Sequence, residues 1–190
     1  MQGGIARRDL LKAVPLAAAG LMAVAGEAAS GNGADSGRTL VACFSRTGNT
    51  RVVARQIGRA RAASPFEIEA ATPYPEDYEE TVAQARRETA TGTLPGLAHF
   101  VADVRRYDTI YLGFPIWGMT APPVIRSFLR AHDLSGKVVH PFVTHGGYGL
   151  GDSLEVVGLL AQRADIRPVF AMEADQERRT LERVTGWLAG

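Results

Sequence analysis

Residues 39–50 read Thr39, Leu40, Val41, Ala42, Cys43, Phe44, Ser45, Arg46, Thr47, Gly48, Asn49, Thr50, and the order of their chemistry decides the architecture. The short apolar run from Thr39 to Phe44, bounded by polar residues, predicts a strand covered on both faces, since a half-exposed strand would alternate. A polar turn of hydroxyls around Gly48 follows. From Thr50 a helical period takes over, with Val53, Ile57 and Ala60 on one side and Arg51, Arg55 and Arg59 recurring every four residues on another. The arginine row reads as a solvated face, with a docking surface as the alternative. A strand, a hydroxyl turn and a helix N-terminus in succession suit a phosphate. Free N–H groups and the positive end of the helix dipole face the anion, and hydroxyls add hydrogen bonds. The nucleotide loops fail on their residues: a Walker A loop needs Gly-Lys-Ser/Thr and a dinucleotide fold needs spaced glycines, and neither stands here.

Working outward, Phe66 to Ala70 predicts a second strand. Pro73 and Pro75 punctuate, and Glu76, Asp77, Glu79 and Glu80 favour a helix N-terminus, for a helix that should stop near Gly92. Thr109 to Phe114 forms a third strand, and Pro122 with Pro123 opens a helix through Leu129. Lys137 to Thr144 is a fourth strand. Asp152 with Glu155 is a cap variant for a helix turning Leu154, Val157 and Leu160 inward. Pro168 to Met172 gives a fifth strand, and Asp175 caps a last helix with Leu181, Val184 and Leu188 inward. Strands alternating with helices imply one α/β domain over 38–190, a parallel sheet with helices on both faces. Ligands of such sheets lie outside the carboxyl ends of the strands, so the loops after strands one, three and four are where chemistry is expected.

Ahead of this domain, Arg7 and Arg8 precede Asp9, Leu10, Leu11 and Lys12, and an apolar run of 14 residues extends from Ala13 to Gly26. A bilayer span needs about 20 apolar residues. The basic start, short apolar middle and small residues from Ala23 to Ala29 predict an export signal over 1–29 resembling the twin-arginine type, without a membrane span once removed. Residues 30–37 read as a flexible spacer. The 190 residues carry 21 Lys+Arg against 20 Asp+Glu, so nucleic acid is a poor partner. Removal of 1–29 would take three basic and two acidic residues, leaving 18 of each sign. The single cysteine, Cys43, excludes an intramolecular disulfide framework, and His99, His132 and His140 show no metal-ligand spacing.

Ser45, Thr47, Gly48 and Thr50 match the phosphate loop of the flavodoxin family, which runs Ser/Thr, any, Thr, Gly, any, Thr. The longer run Cys43 to Thr50 resembles a bacterial subgroup of that family, and similarity continues through 71–78, 112–124 and 141–151. The resemblance implies a five-stranded parallel sheet of order 2-1-3-4-5 and bound FMN. Its phosphate would rest on Ser45, Arg46, Thr47, Gly48, Asn49 and Thr50. Its ring would lie along Pro115, Ile116, Trp117 and Gly118, and under Thr144, His145, Gly146, Gly147, Tyr148 and Gly149. Subgroup members often carry a second tryptophan where this chain has Gly118. The residues leave open whether Trp117 covers the ring or fills space beneath the third helix, and whether Tyr148 stacks or merely sits at the surface. His145 reads as a hydrogen-bonding anchor, so no catalytic residue is assigned.

Three functions compete. The first is electron transfer outside the cytoplasm, periplasmic or extracellular, to a redox partner protein or a small-molecule acceptor. The second is an FMN-dependent NAD(P)H:quinone or small-molecule reductase of the same fold, and the third a flavin-free module binding another phosphate ligand.

Overall fold

A computed structural model of the chain describes residues 38–173 and 184–190. The expected export signal, the spacer, the Asp175 cap and Leu181 lie outside the described residues.

The sheet is parallel throughout, in the order β2-β1-β3-β4-β5, with β6 also on β4. Its strands are β1 (Thr39–Cys43), β2 (Ser64–Glu67), β3 (Thr109–Pro115), β4 (Val138–His145), β5 (Asp165–Ile166) and β6 (Phe170–Glu173). The central pair β3 and β4 runs in register from Thr109 opposite Val138 to Pro115 opposite Thr144. Four helices alternate with them: α1 (Asn49–Arg61), α2 (Tyr78–Thr91), α3 (Pro123–Ala131) and α4 (Ser153–Leu160), and a closing helical segment covers residues 184–189.

Two buried clusters explain why β1 and β3 read as unbroken apolar runs. Leu40, Ala42, Ile110, Leu112 and Phe114 face α3 and α4, meeting Val124, Ile125, Phe128 and Val157. Val41, Cys43, Tyr111 and Phe142 face the other way, onto Val53 and Ile57 of α1 and Val184. Each fully buried aliphatic or aromatic side chain contributes roughly 1.5–3 kcal/mol, so the central strands are held from both sides. Gly113 is part of that fit, because a Cβ there would fall 2.0 Å from the Phe142 ring.

Several expectations need correction. The second strand sits earlier than expected: Ile68 still donates to the Cys43 carbonyl at 2.8 Å, but Ala70 has turned to pair antiparallel with Leu97. The fifth position in the sheet is split. Arg167 donates to the Val139 carbonyl at 2.8 Å, and Pro168, having no N–H, separates β5 from β6. Ala60 is exposed while Ala54 is buried, so α1 is rotated toward Ala54. Asp152 precedes α4 without a side-chain cap bond. By contrast Asp77 caps α2, its carboxylate accepting from the Glu80 N–H at 2.9 Å, and Gly92 ends that helix in the left-handed conformation. Among the described residues no helix is long and apolar enough to cross a membrane.

Candidate functional site

The loops after β1, β2, β3 and β4 meet at the carboxyl end of the sheet and tie to one another by bonds that cross between them. In the first, Gly48 takes φ 97° and its N–H donates to the Ser45 hydroxyl at 3.1 Å, curling the turn ahead of α1. The α1 N-terminus has no side-chain cap and no acidic residue in its first turn. Its N–H groups therefore present an uncompensated positive end. Thr47 stands exposed in this loop, whereas Thr50 is only 1% exposed and shares a 2.8 Å hydrogen bond between its hydroxyl and that of Thr144. Thr50 thus joins the first loop to the end of β4. Arg46 does not point at the turn: it donates to the Glu76 carbonyl at 3.0 Å and lies 5.8 Å over the Tyr78 ring, pinning the first loop to the start of α2.

The third loop is a tight hairpin. Trp117 and Thr120 exchange both backbone hydrogen bonds at 3.1 Å, and Gly118 and Met119 take positive φ at its tip. Arg126 of α3 braces it through the Thr120 hydroxyl at 2.8 Å. Trp117 is half-buried, edge-on to Phe44 at 5.2 Å and to Tyr74 at 4.9 Å. It neither stands clear nor fills a gap under α3 alone; it closes an aromatic corner with the ends of β1 and the second loop. Pro115 and Ile116 are half-buried, and the Ile116 N–H donates to the Thr144 carbonyl at 2.9 Å.

The fourth loop carries His145, whose Nδ1 accepts from the Gly147 N–H at 3.1 Å, the anchoring role expected of it. Tyr148 is 83% exposed at the rim. Gly151 touches the third loop so closely that a Cβ would lie 1.8 Å from the Met119 carbonyl oxygen, and Asp152 donates to that same oxygen at 3.0 Å. At Gly48, Gly118, Gly146 and Gly149 an added Cβ would meet nothing within 4 Å. These four glycines, at least one in each of the three loops, therefore leave open space where a side chain would stand, as a flat ligand lying against main chain requires.

Two contributors escaped the sequence reading. Tyr74 packs on Trp117 and donates to the Glu88 carboxylate at 2.9 Å. Burial and that carboxylate push its phenol well above the usual tyrosine range, so it remains a neutral donor. It lies in the stretch 71–78 that resembles the family, a likeness that assigns the ring no role. Glu173, at the end of β6, would come within 3.2 Å of a Cβ on Gly147 and brings a carboxylate to the fourth loop. Nothing in the local sequence signals that approach. Among the described residues no group of three His, Cys, Asp or Glu side chains is placed to hold a metal.

The arrangement suits a planar molecule with a phosphate tail, the tail on the α1 N-terminus and the plane between the third and fourth loops. Comparison with known proteins bears on that reading. The family model for flavodoxin matches residues 38–184. A flavoprotein from Bacteroides uniformis has 28% identity and a TM-score of 0.72, covering 81% of this chain and 99% of its own. One from Bacteroides eggerthii has 28% identity and a TM-score of 0.70, covering 80% and 96%. A flavoprotein from Lactobacillus acidophilus, crystallised with FMN, shares the fold at 20% identity and a TM-score of 0.63, covering 77% and 99%. No curated protein matches the chain.

Proposed function

The chain belongs to the flavodoxin family, and from that membership we propose that it binds FMN and transfers electrons outside the cytoplasm. One observation carries the reading: an α1 N-terminus free of acids and caps stands among loops in which Gly48, Gly118, Gly146 and Gly149 leave open space where a side chain would be. When bound, FMN supplies a ring that takes up and releases electrons singly or in pairs. Ser45, Thr47, Asn49 and the first N–H groups of α1 would hold its phosphate. Thr50 holds the loop itself in place through Thr144. Pro115, Ile116, Trp117 and Gly118 would line one side of the ring, with Tyr74 and Phe44 keeping the indole in position. Thr144, His145, Gly146, Gly147 and Gly149 would bond its polar edge, and Tyr148 is free to cover the outer face.

Electron transfer is favoured over a reductase because a reductase needs proton handling beside the ring. His145 already commits Nδ1 to its own loop, and the Tyr74 hydroxyl is committed to the Glu88 carboxylate at 2.9 Å. The tandem Arg7 and Arg8 before a short apolar run support export by the twin-arginine route. A dedicated redox protein or a small-molecule acceptor would then receive the electrons. Anaerobic reductive titration of the FMN-loaded protein tests this. Two separate one-electron steps, without oxidation of added NADPH, are expected. Direct two-electron reduction by NADPH with quinone turnover would replace this reading with the reductase.

A further inference from the structure

The arginine row of α1 lines a groove of about 370 Å³ between that helix and β2. Its floor is apolar, made by Val41, Ala54, Ala63 and Pro65 with the Cys43 thiol, while the Phe66 ring points to the other face of the sheet, against Phe128. Burial first, then the Glu67 charge, pushes that thiol up to about 12, so Cys43 stays protonated and adds no charge. Gly58 keeps the groove open: a Cβ there would meet nothing within 4 Å. Glycine inside a helix costs roughly 1 kcal/mol relative to alanine, and here it leaves a hollow where any side chain would stand.

The charges around the groove are lopsided. Arg51 pairs with Glu67 at one end, its Nε donating at 2.9 Å. Arg59 donates to the neutral Gln56 at 2.7 Å. Arg55 has no hydrogen bond or ion pair among the described residues. A merely solvated helix face gains from alternating signs at i and i+4, and like charges at that spacing repel. Yet α1 contains four arginines and no aspartate or glutamate. Unneutralised guanidinium groups beside an apolar floor match a molecule with one apolar and one anionic end. Guanidinium geometry favours a carboxylate held by paired N–H donors, and the volume falls within the range of about 300–1,000 Å³ common to small-molecule sites.

We propose that this groove is a second binding site, separate from the FMN site, for a small amphipathic carboxylate whose apolar body lies on Ala54 and Pro65 and whose carboxylate pairs with Arg55 and Arg59. The test is titration of the protein, with and without FMN, by decanoate and by the uncharged analogue decanol. Calorimetry and amide chemical shifts are the readouts. Decanoate should saturate at one equivalent and shift the amides of 54–59 and 63–67 whether or not FMN is present, so the result stands apart from the FMN reading. Decanol should bind about tenfold more weakly, since it lacks the charge-assisted bonds. Arg55→Glu, an exposed change that leaves the core untouched, should cost decanoate at least as much. Gly58→Leu, which fills the hollow with a good helix former, should abolish binding while leaving the melting temperature and FMN affinity near wild type. No saturable binding below about 1 mM, equal binding of decanol, or wild-type affinity in Arg55→Glu would overturn the proposal.

Discussion

Thr47 and Thr50 stand in one hydroxyl turn, yet the fold gives them different work. The Thr47 side chain is exposed at the mouth, while the Thr50 hydroxyl is buried against Thr144. Hydrogen bonds to a charged group are worth about 1.5–3 kcal/mol, and stranding a buried hydroxyl costs about 1–3 kcal/mol. Thr47→Val should therefore weaken FMN roughly 10- to 100-fold with an unchanged melting temperature. Thr50→Val should lower the melting temperature itself, because Thr144 loses its partner. Isothermal titration beside thermal melts separates the two; equal effects on both variants would mean that the hydroxyls are not so divided. The turn was legible in the sequence because its residues are contiguous. The division of labour was not, since the partner of Thr50 lies 94 positions away. A buried unpartnered group makes a second case: the Ser153 hydroxyl has no bonding partner among the described residues, so Ser153→Ala should be neutral or raise stability by about 1 kcal/mol, as read from the denaturation midpoint.

Among the elements, the third and fourth loops behave as one unit because Gly151 lets the chain pass against Met119. Met119 itself holds a left-handed φ of 65° at the hairpin tip, unusual for a residue with a side chain. Gly151→Ala would drive a Cβ to 1.8 Å from the Met119 carbonyl oxygen. Overpacking of this kind costs about 1–3 kcal/mol, so the variant should melt lower and lose FMN affinity through separation of the loops. Retention of both would show that the contact is dispensable. The sequence showed four glycines in the fourth loop but not which of them was pressed against another loop, because close approach across space leaves no local mark. The same limit explains the fifth strand. A hydrophobic run was visible, but the register that placed Pro168 between two short strands depended on where β4 ended. Helix α2 was legible down to its ends because its cap residues and terminal glycine act locally.

At the scale of the whole molecule, the sheet is stable because both faces are covered, and the covering also sets a pH response. His140 stacks on Tyr111 at 4.8 Å and packs near Trp187. Burial, then the nearby Arg167 and Arg61, hold its imidazole below the ordinary value of 6.5. The unfolded chain therefore binds a proton more readily than the folded one. The contribution of His140 is complete above about pH 6.5 and shrinks as pH falls toward the folded value. His140→Phe, which keeps a ring on Tyr111, should flatten the decline in melting temperature between pH 7 and pH 5; parallel declines in the two proteins would assign the response elsewhere. The layered architecture was legible from continuous apolar runs alternating with amphipathic stretches, while the rotation of α1 that buries Ala54 and opens the groove beside Gly58 was set by packing. The central claim is that the loop site at the carboxyl end of the sheet holds FMN, and fluorescence titration tests it most directly. Binding beside Trp117 and Tyr148 should quench flavin emission to a sharp end point at one equivalent, with Thr47→Val requiring more protein. Flavin emission unchanged across the titration would contradict the account.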